Sequence, residues 1–451
     1  MSALDYLERR EGGLTRLSHA ELRRTVELHA SFALGRRGGL RACLKFHDLS
    51  HAPLAEANLA GADLTGANLG GADLSGADLS SACLFAADLR KARLDRANLA
   101  RADLRGAALR GASLQRANMG EADLRDGHLM RSKNGELSPL GPGTGGSLLS
   151  DASLAHADLA RAKLSNAFIV QTDLRDTNLK GSIFIRADLS GSDLTGCNLE
   201  GADLSEAKLL GCKLEGAVLT RALLRHTDLS NASLLGALLD EADLSLANLT
   251  GTEVTRRLDN IAGVIGETIR GHREWVLSNG KGGRRGDLTA VDLSNQDLSG
   301  LNFSAAILRH AVLRGANLAG TVLAMADLST VDLRGAMLAG ADLRGACLER
   351  ATLNEADLSQ ASVCQMELRS GQHWPANLSK ARMVRTKAAA ADFTGTRMAD
   401  ADLTQADLRE ARLRGADLCD AVMTMADLRG ADLADADFRG AVNLKLPGGR
   451  G

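Results

Sequence analysis

Aromatic residues are scarce in this chain of 451 residues: they make up 2% of it, as two Trp, one Tyr and eight Phe. Ordinary globular cores obtain much of their buried area from aromatic rings, so this core must be filled by other side chains. Leucine and alanine supply most of the 45% hydrophobic content. The 48 glycines exceed what a compact domain needs. The composition therefore argues against an ordinary globular core.

The chain also lacks an excess of charge of one sign, a long apolar run and paired cysteines. Its 54 basic and 56 acidic residues argue against a surface wholly devoted to binding or mimicking a polyanion. Residues 1–13 have no apolar core of a signal peptide, and no run is long enough to cross a membrane. Seven scattered cysteines without a CxxC pair favour a reducing compartment, so the sequence predicts a cytoplasmic protein.

What the sequence has in abundance is a five-residue period. Residues 57–79 read ANLAGADLTGANLGGADLSGADL, with a leucine at every fifth position and an alanine two places before each leucine. Three arrays keep a large apolar residue at this spacing: Leu44–Leu129, Leu149–Val254 and Leu288–Phe438. Only His373 and Ala388 depart from the pattern. Self-similarity on this scale predicts a repeat architecture.

A five-residue period excludes both a continuous α-helix and one straight strand. Five steps of about 100° leave each leucine about 140° from the last, so the leucines of a helix would face every side. Because five is odd, successive leucines of a straight strand would alternate between its faces. The chain must therefore turn once per repeat. Alanine and leucine then point inward from a short extended piece, and the other residues form a corner.

The residues between the leucines have the chemistry of corners. Asp or Asn precedes the leucine, as at Asp63 and Asn68, and can accept a hydrogen bond from nearby backbone. Glycine often stands two places after the leucine, as at Gly61 and Gly66, and tolerates unusual backbone angles. Alanine suits the interior because a narrow tube has little room. The pattern predicts a solenoid whose coils pair backbone to backbone.

The uninterrupted tandem A(D/N)LxG pattern resembles that of the pentapeptide repeat proteins. The resemblance covers most of the chain and extends over 71 repeats, which makes it highly specific. It implies an all-β solenoid in the form of a right-handed quadrilateral β-helix, with four repeats in each coil.

Two segments outside the arrays have helical patterns. Ser18 and Glu21 form a candidate capping box, and Gly35 could end the helix that follows. This first segment has an apolar stripe of Leu22, Val26, Ala30 and Ala33, and the second has helical spacing at Ile265, Ile269, His272 and Val276. The two segments align with each other, His29 with His272, so the chain is predicted to hold two tandem solenoid modules. Each module begins with a short helix that caps the exposed edges of its first coil.

The interruption at residues 130–148 is rich in Pro and Gly but keeps the five-residue phase, so it is interpreted as a loop that bulges from one solenoid. The predicted organisation, in chain order, is an N-terminal segment with a capping helix at 1–40, a first solenoid at 41–255, a second capping helix with a Gly/Arg-rich connector at 256–286, a second solenoid at 287–445 and a tail at 446–451.

Several groups that could carry chemistry have structural explanations that the sequence favours. A turn role explains the repeated aspartates, such as Asp63, Asp73, Asp78 and Asp88, better than acid–base catalysis does. GKGGRR at 280–285 lacks the Ser/Thr and the earlier Gly of a phosphate loop, which indicates a connector. His29 and His272 are predicted to be hydrogen-bonded core residues, not metal ligands, and Cys197 and Cys212 to be core fillers. The sequence predicts no catalytic, cofactor-binding or metal-binding residue.

Two surface features are candidates for docking. Residues 371–375, GQHWP, put His373 where leucine belongs and Trp374 beside it, which indicates either a local bulge or an exposed anchor for a partner. Net charge varies along the chain: −4 over 51–87, +4 over 88–136 and −6 over 400–437. Arginines twenty residues apart would stack in columns: Arg90/Arg110, Arg96/Arg116 and Arg105/Arg125. These charges indicate either a solvated rim or faces that dock proteins electrostatically.

The function predicted from these features is a non-enzymatic scaffold that offers flat charged faces to protein partners. The sequence favours proteins over nucleic acids or membranes as partners and leaves the oligomeric state open. The alternative comes from the resemblance: some pentapeptide repeat proteins mimic duplex DNA and bind type II topoisomerases such as gyrase, giving inhibition or inhibitor resistance. Those relatives resemble one strongly acidic rod that dimerises through a C-terminal helical segment. This chain has many arginines and places its helices before the repeats.

Overall fold

The computed structural model describes residues 14–127, 130–133, 136–139, 149–254, 262–368 and 370–445, with the backbone alone for 130–133, 136–139 and 262–265. The predicted tail 446–451, residues 140–148 of the first interruption, Leu129 and the side chain of Ile265 lie outside what is described. Two compact units are distinguished: a first unit of Met1–Ser233 with Ala237–Glu253, and a second unit of Leu234–Gly236 with Val254–Gly451.

One coil of the solenoid takes twenty residues. Parallel bridges join residues twenty apart, as between Asp63 and Cys83. Two backbone hydrogen bonds form a rung between successive coils. Leu64 N–H donates to Cys83 O in the next coil at 2.8 Å, and Cys83 N–H donates to Ala62 O in the preceding coil at 2.9 Å. A tight turn follows each leucine, closed by a bond such as Ala67 N–H to Leu64 O at 3.0 Å. Four such turns make one coil, as the resemblance implies.

The leucine and alanine positions point inward. From Leu59 to Leu124, every residue at these positions is exposed by 1% or less. The second unit has a core of the same kind, in which Phe303 and Phe393 take leucine positions and Ala388 is fully buried. Burying one leucine contributes about 2 kcal/mol, and the five-residue period repeats that contribution along each tube.

Polar residues at the alanine position bond to backbone carbonyls inside the tube. Thr172 Oγ1 donates to Leu149 O at 2.8 Å, and Cys212 Sγ donates to Leu189 O at 3.0 Å. Such partners remove most of the cost of burying a polar group. Cys197 and Cys212 are buried core residues, as predicted. Burial raises the pKa of the Cys212 thiol to about 12, so it stays protonated at neutral pH.

Outside the coils, the described residues form two helices and three short strand pairs: α1 (His19–Ala33) and α2 (Ala262–Leu277), β1 (Thr15–Arg16) with β2 (His47–Asp48), β3 (Met130–Lys133) with β4 (Glu136–Pro139), and β5 (Met366–Glu367) with β6 (His373–Trp374). The β1–β2 pair is parallel and the other two are antiparallel. Neither of these helices is long and apolar enough to span a membrane.

Helix α1 begins and ends where the sequence predicts. Ser18 is its N-cap and forms the capping box with Glu21: Glu21 N–H donates to Ser18 Oγ, and Ser18 N–H donates to the Glu21 carboxylate at 2.8 Å. Gly35 follows the helix with a φ of 65°, the left-handed conformation that commonly terminates helices. The buried residues of α1 are Leu22 and His29, so the predicted apolar stripe is covered only in part.

The first interruption leaves the coil register intact. Ser113 bridges Ser153, forty residues on, so one coil's length of chain leaves the solenoid and returns to the same face. The backbone of this excursion includes the antiparallel hairpin β3–β4, where the sequence predicts only a loop. Four-residue strands are too short to show a clear alternation, and their pairing depends on contacts that a sequence pattern does not display.

The interruption around His373 is larger than the local bulge that is one interpretation of the sequence. Cys347 bridges Asn377, thirty residues on, so ten residues leave the coil and form the hairpin β5–β6. Leu368 and His373 fall at the right spacing for the third array, but both belong to this excursion and neither lines the tube. Their five-residue phase is preserved because ten is a multiple of five.

Candidate interaction surfaces

The aspartate before each leucine ties the corner that follows it. Asp63 Oδ1 accepts a hydrogen bond from Thr65 N–H at 3.2 Å, and Asp78 Oδ1 accepts one from Ser80 N–H at 3.0 Å. The same bond forms at Asp73 and Asp88. A side chain that bonds to backbone two residues on is the Asx arrangement that stabilises turns. The repeated aspartates therefore have the turn role that the sequence predicts.

Arginines two residues after these aspartates fold back onto them. Arg105 Nε and Nη2 donate to the two carboxylate oxygens of Asp103 at 2.8 and 2.7 Å, and Arg125 binds Asp123 in the same way. The same pair recurs on both units: Arg90–Asp88, Arg175–Asp173, Arg344–Asp342, Arg409–Asp407, Arg429–Asp427 and Arg439–Asp437. Bidentate, charge-assisted pairs of this kind are geometrically specific.

These pairs change the interpretation of the charged columns. Arg105 and Arg125 do stand in successive coils, as their twenty-residue spacing predicts, because Asp103 bridges Asp123. Each guanidinium, however, faces the carboxylate of its own repeat. The net charge of +4 over 88–136 already counts these aspartates, so the excess positive charge belongs to the other basic residues of the segment. The recurring tripeptide Asp-Leu-Arg is a signal in the sequence that could have revealed these pairs.

Acid is expected to destabilise both units through these carboxylates. Hydrogen bonding from Arg175 lowers the pKa of Asp173, and Arg429 lowers the pKa of Asp427 to about 2. A pKa that is lower in the folded state contributes stability above the unfolded value near 4, and this contribution is lost as pH falls through the folded pKa. We expect the melting temperature, followed by circular dichroism, to fall as pH is lowered from 4.5 to 2. A constant or rising melting temperature over this range would contradict the assignment.

The corner residues are stacked from coil to coil. His51 and Glu56 have φ values of 57° and 58°, and their side chains extend over the corners of the next coil. A Cβ on Gly71 would lie 2.7 Å from the His51 ring, and one on Gly76 would lie 2.6 Å from the Glu56 carboxyl carbon. A glycine at a corner thus makes room for a large side chain twenty residues earlier.

His29 joins helix α1 to the first coil. Its Nδ1 accepts a hydrogen bond from Ala42 N–H at 3.0 Å, so Nε2 carries the proton and donates to the Ala60 carbonyl at 3.0 Å. Burial lowers the pKa of His29, and the bond to Ala60 partly opposes this shift. Both ring nitrogens are used within the protein. His29 is therefore the hydrogen-bonded core residue that the sequence predicts.

Helix α2 and the residues after it repeat the connections made by α1. Residues 280–285, the segment predicted to be a connector, follow the C-terminal end of α2, and Gly283 lies against the helix backbone. Three hydrogen bonds around α1 have an equivalent around α2. Leu40 N–H donates to Leu28 O, as Arg284 N–H donates to Gly271 O. Ala42 N–H donates to His29 Nδ1, as Gly286 N–H donates to His272 Nδ1, and Arg41 Nε donates to Gly61 O, as Arg285 Nε donates to Ala305 O.

The repeat pattern decides the family. The family model described as pentapeptide repeats in eight copies matches residues 42–126, 146–256, 287–363 and 376–442, which is well over half of the chain. The chain belongs to the pentapeptide repeat family. Known structures of the family are right-handed quadrilateral β-helices, and the four-cornered coil of twenty residues described above is of this kind. Its members are typically structural or binding proteins without enzymatic activity.

Three solved pentapeptide repeat structures illustrate the similarity. HetL from the cyanobacterium Nostoc sp. strain PCC 7120, a protein involved in heterocyst differentiation regulation, is 22% identical over 92% of this chain and 94% of HetL, with a TM-score of 0.14. Rfr23 from the cyanobacterium Cyanothece 51142 is 26% identical over 31% of this chain and 63% of Rfr23, with a TM-score of 0.13. QnrB1, a plasmid-mediated fluoroquinolone resistance protein, is 18% identical over 49% of this chain and 93% of QnrB1, with a TM-score of 0.19.

Comparison with curated proteins gave no significant match. TM-scores below 0.2 do not establish a common overall shape. The family assignment of this pentapeptide repeat protein therefore rests on its repeat pattern.

The hairpin β5–β6 of this pentapeptide repeat protein presents an exposed aromatic group. Trp374 is 52% exposed, so the hairpin is both an interruption of the face and a carrier of an accessible indole. Met325 Sδ, Trp374 Cδ1 and Met366 Cβ all converge on Gly345, where an added Cβ would lie 2.7–3.2 Å from them. Methionine and tryptophan together make an adaptable apolar surface, which suits an anchor for a partner.

One cluster of potential metal ligands was not anticipated from the sequence. The ligand atoms of Asp417, Cys419 and Asp437 lie within 4.8 Å of one another. The Arg439 guanidinium already binds both oxygens of Asp437. The pKa of Cys419 is raised to about 11, chiefly by its hydrogen bond with Asp417, so the thiol is protonated at neutral pH. A protonated thiol and an arginine-bound carboxylate are poor ligands for a cation.

Proposed function

We propose that this pentapeptide repeat protein is a non-enzymatic scaffold that binds protein partners on its solenoid faces. In this proposal it consists of two tandem modules, each headed by a capping helix. The observation that carries the proposal is the twenty-residue rung pattern, which holds the outward side chains of successive coils at a fixed spacing of about 4.8 Å. Regular faces of this kind provide contact area without a concave pocket, as other solenoids do.

Exposed apolar side chains mark the faces best suited to partners. In the first unit, Phe168 is 41% exposed and Leu210 is 44% exposed. Phe168 bridges Asp188, and Asp188 bridges Lys208 in the next coil. Leu210 follows Lys208 by two residues, so Phe168 and Leu210 lie on one face, two coils apart. In the second unit, Trp374 is the corresponding candidate. Aromatic and large apolar anchors surrounded by polar groups commonly dominate the affinity of protein interfaces.

Affinity capture tests the scaffold proposal. The full-length protein, tagged and expressed in its host, should retain one or a few specific proteins identified by mass spectrometry. A Phe168→Ala/Leu210→Ala double variant or a Trp374→Ala variant should lose a partner that a Lys91→Ala control, changed at an exposed corner, retains. Recovery of identical proteins by all variants would exclude these faces as anchors. Failure to enrich any protein over an untagged control would contradict the scaffold role.

A reducing compartment is part of the same proposal. All seven cysteines lie in described residues, and none of them forms a disulfide. Cys43 is exposed, and an exposed thiol is more readily kept reduced in a cytoplasm than outside the cell. We propose a cytoplasmic location on this basis.

Binding to a type II topoisomerase is the second candidate function, and the acidic stretch 400–437 is the observation in its favour. Asp400 and Asp420 occupy the same corner of successive coils, since Asp400 N–H donates to Cys419 O. Arg409 and Arg429, by contrast, are bound to carboxylates of this stretch. We expect the purified protein neither to inhibit DNA gyrase in a supercoiling assay nor to protect it from fluoroquinolones. A dose-dependent effect would put gyrase binding ahead of the general scaffold role.

A further inference from the structure

The two histidines of the caps differ in the hydrogen bonding of one ring nitrogen. His29 and His272 are equivalent, both are buried, and the Nδ1 of each accepts a backbone N–H from the connector. The Nε2 of His29 donates to the Ala60 carbonyl. The Nε2 of His272 is buried and has no hydrogen-bond partner in the described part of the chain. Buried polar groups are almost always satisfied in proteins, so this atom calls for an explanation.

The first coil also differs at a residue that contacts the second histidine. Phe303 occupies the position of Leu59, since each lies fifteen residues after the first leucine of its solenoid. The His272 ring is stacked with Phe303 at a centroid distance of 6.1 Å and with Trp275 at 5.7 Å. His29 is stacked with Phe32 alone at 5.9 Å. The second histidine thus exchanges a carbonyl acceptor for an aromatic neighbour.

The neutral ring fits this environment far better than the charged ring. Because Nδ1 accepts from Gly286 N–H, the single proton of the neutral imidazole is on Nε2. Protonation would place a second N–H on Nδ1, facing the N–H of Gly286, and would abolish the bond that joins α2 to the connector. The proton on Nε2 has no acceptor among the described residues in either state of the ring.

Among the described residues around the ring, no carboxylate offsets the charge of a protonated His272. Trp275 on the helix, Gly286 on the connector and Phe303 in the first coil are all neutral, and Arg285 on the connector carries a charge of the same sign. Burial is the main cause that lowers the pKa of His272, and Arg285 lowers it further. His29 differs because its bond to Ala60 raises its pKa in part. An imidazole in such surroundings becomes charged only when its cap opens.

We propose that α2 is an acid-releasable cap: protonation of His272 detaches this helix from the first coil of the second unit, while α1 responds less. Release exposes the edge of that coil, including the apolar interior around Leu288 and Phe303. An uncovered strand edge is a ready site for pairing with another chain. Opening of α2 can be measured without any scaffold partner. The proposal of an acid-releasable cap and the proposal of a scaffold function can therefore be refuted independently.

The size of the response follows from linkage. The open state titrates near the ordinary histidine pKa of about 6.5, whereas the closed state resists protonation. The free energy that favours the closed cap is therefore largest at a pH above the ordinary histidine pKa of about 6.5, and decreases as pH falls below it. The population with an open cap should rise about tenfold between pH 7.5 and pH 5.5.

Hydrogen exchange of the full-length protein, read by mass spectrometry, tests the proposal. Labelling times at pH 7.5, 6.5 and 5.5 are scaled to the intrinsic exchange rates. Peptides from α2 should show about tenfold more opening at pH 5.5 than at pH 7.5, and peptides from α1 should change less. An equal response of both helices, or no response of α2, would overturn the proposal.

Variants separate titration of His272 from a general effect of acid. His272→Asn keeps an acceptor near the place of Nδ1 but cannot be protonated, so the pH response of α2 should disappear. Phe303→Leu restores the residue of the first solenoid and should reduce the response to that of α1. His226→Asn, at an exposed corner with a φ of 56°, should leave the response unchanged. Retention of the full response in a folded His272→Asn variant would refute the role of His272. If that variant does not fold, retention of the full response in Phe303→Leu would refute it instead.

Discussion

Replacing Leu214 with aspartate is expected to unfold the first solenoid or to leave it barely stable. Leu214 is fully buried at an inward position, in the same repeat as the buried Cys212. The substitution removes about 2 kcal/mol of apolar burial and places a carboxylate where no water can reach it, at a cost of several kcal/mol more. Domains are stable by only about 5–15 kcal/mol in total, so one such change removes most of the margin. Each coil also stabilises its neighbours, and the damage spreads along the tube.

Leu210→Asp is the matched control for this prediction. Leu210 lies four residues away in the same coil but points outward and is 44% exposed. The same chemical change there should alter the free energy of unfolding by less than about 1 kcal/mol, since surface substitutions rarely do more. Thermal unfolding of both variants, followed by far-ultraviolet circular dichroism, makes the comparison. Indistinguishable melting curves would show that the inward and outward assignments are mistaken.

Replacing Gly283 with alanine is expected to displace helix α2 from the second unit. A Cβ at this position would collide with the carbonyl oxygen of Gly271 and would lie 2.5 Å from the backbone nitrogen of Trp275. Backbone atoms of a helix cannot move aside as a flexible side chain can. Gly283 also has a φ of 68°, at which any other residue is strained. The collision and the strain together should exceed about 3 kcal/mol, enough to open the cap.

Gly300→Ala provides the control, because it shares the strain without the collision. Gly300 has a φ of 65°, and a Cβ added there would meet nothing within 4 Å. It should cost only about 1–2 kcal/mol. Limited trypsin digestion reports on the cap, because Arg270 and Arg273 lie within α2 and are protected only while it is docked. Faster cleavage at these arginines in Gly283→Ala than in Gly300→Ala is the expected result. Equal protection in the two variants would show that the connector does not hold the helix.

Several parts of the structure follow from local patterns in the sequence. The five-residue period predicts the inward row of side chains, and the aspartate before each leucine predicts the hydrogen bond at the corner. Ser18 and Glu21 predict the start of α1, and Gly35 predicts its end. These features depend on residues no more than five apart, whose geometry is limited by backbone sterics and turn chemistry. The Asp-Leu-Arg pairs are local as well, and their recurrence could have revealed them.

The interruptions and the caps show where local patterns are insufficient. The spacing of His373 is compatible with an inward position, yet it belongs to a ten-residue hairpin, because an excursion of ten residues preserves the phase. The alignment of His29 with His272 predicts equivalent roles. It does not predict that only the first histidine finds a carbonyl acceptor, or that the second stacks on Phe303, thirty-one residues further along the chain.

The sequence by itself determined the solenoid, its inward residues, its corners and its family, because a short period repeated dozens of times admits only one way to keep the leucines together. Tertiary contacts alone decided the extent of the two excursions, the exposure of Trp374, the room that Gly76 leaves for Glu56 and the unpaired nitrogen of His272. The physical reason is distance along the chain: these features arise between residues twenty or more apart, which meet only once the coils are stacked.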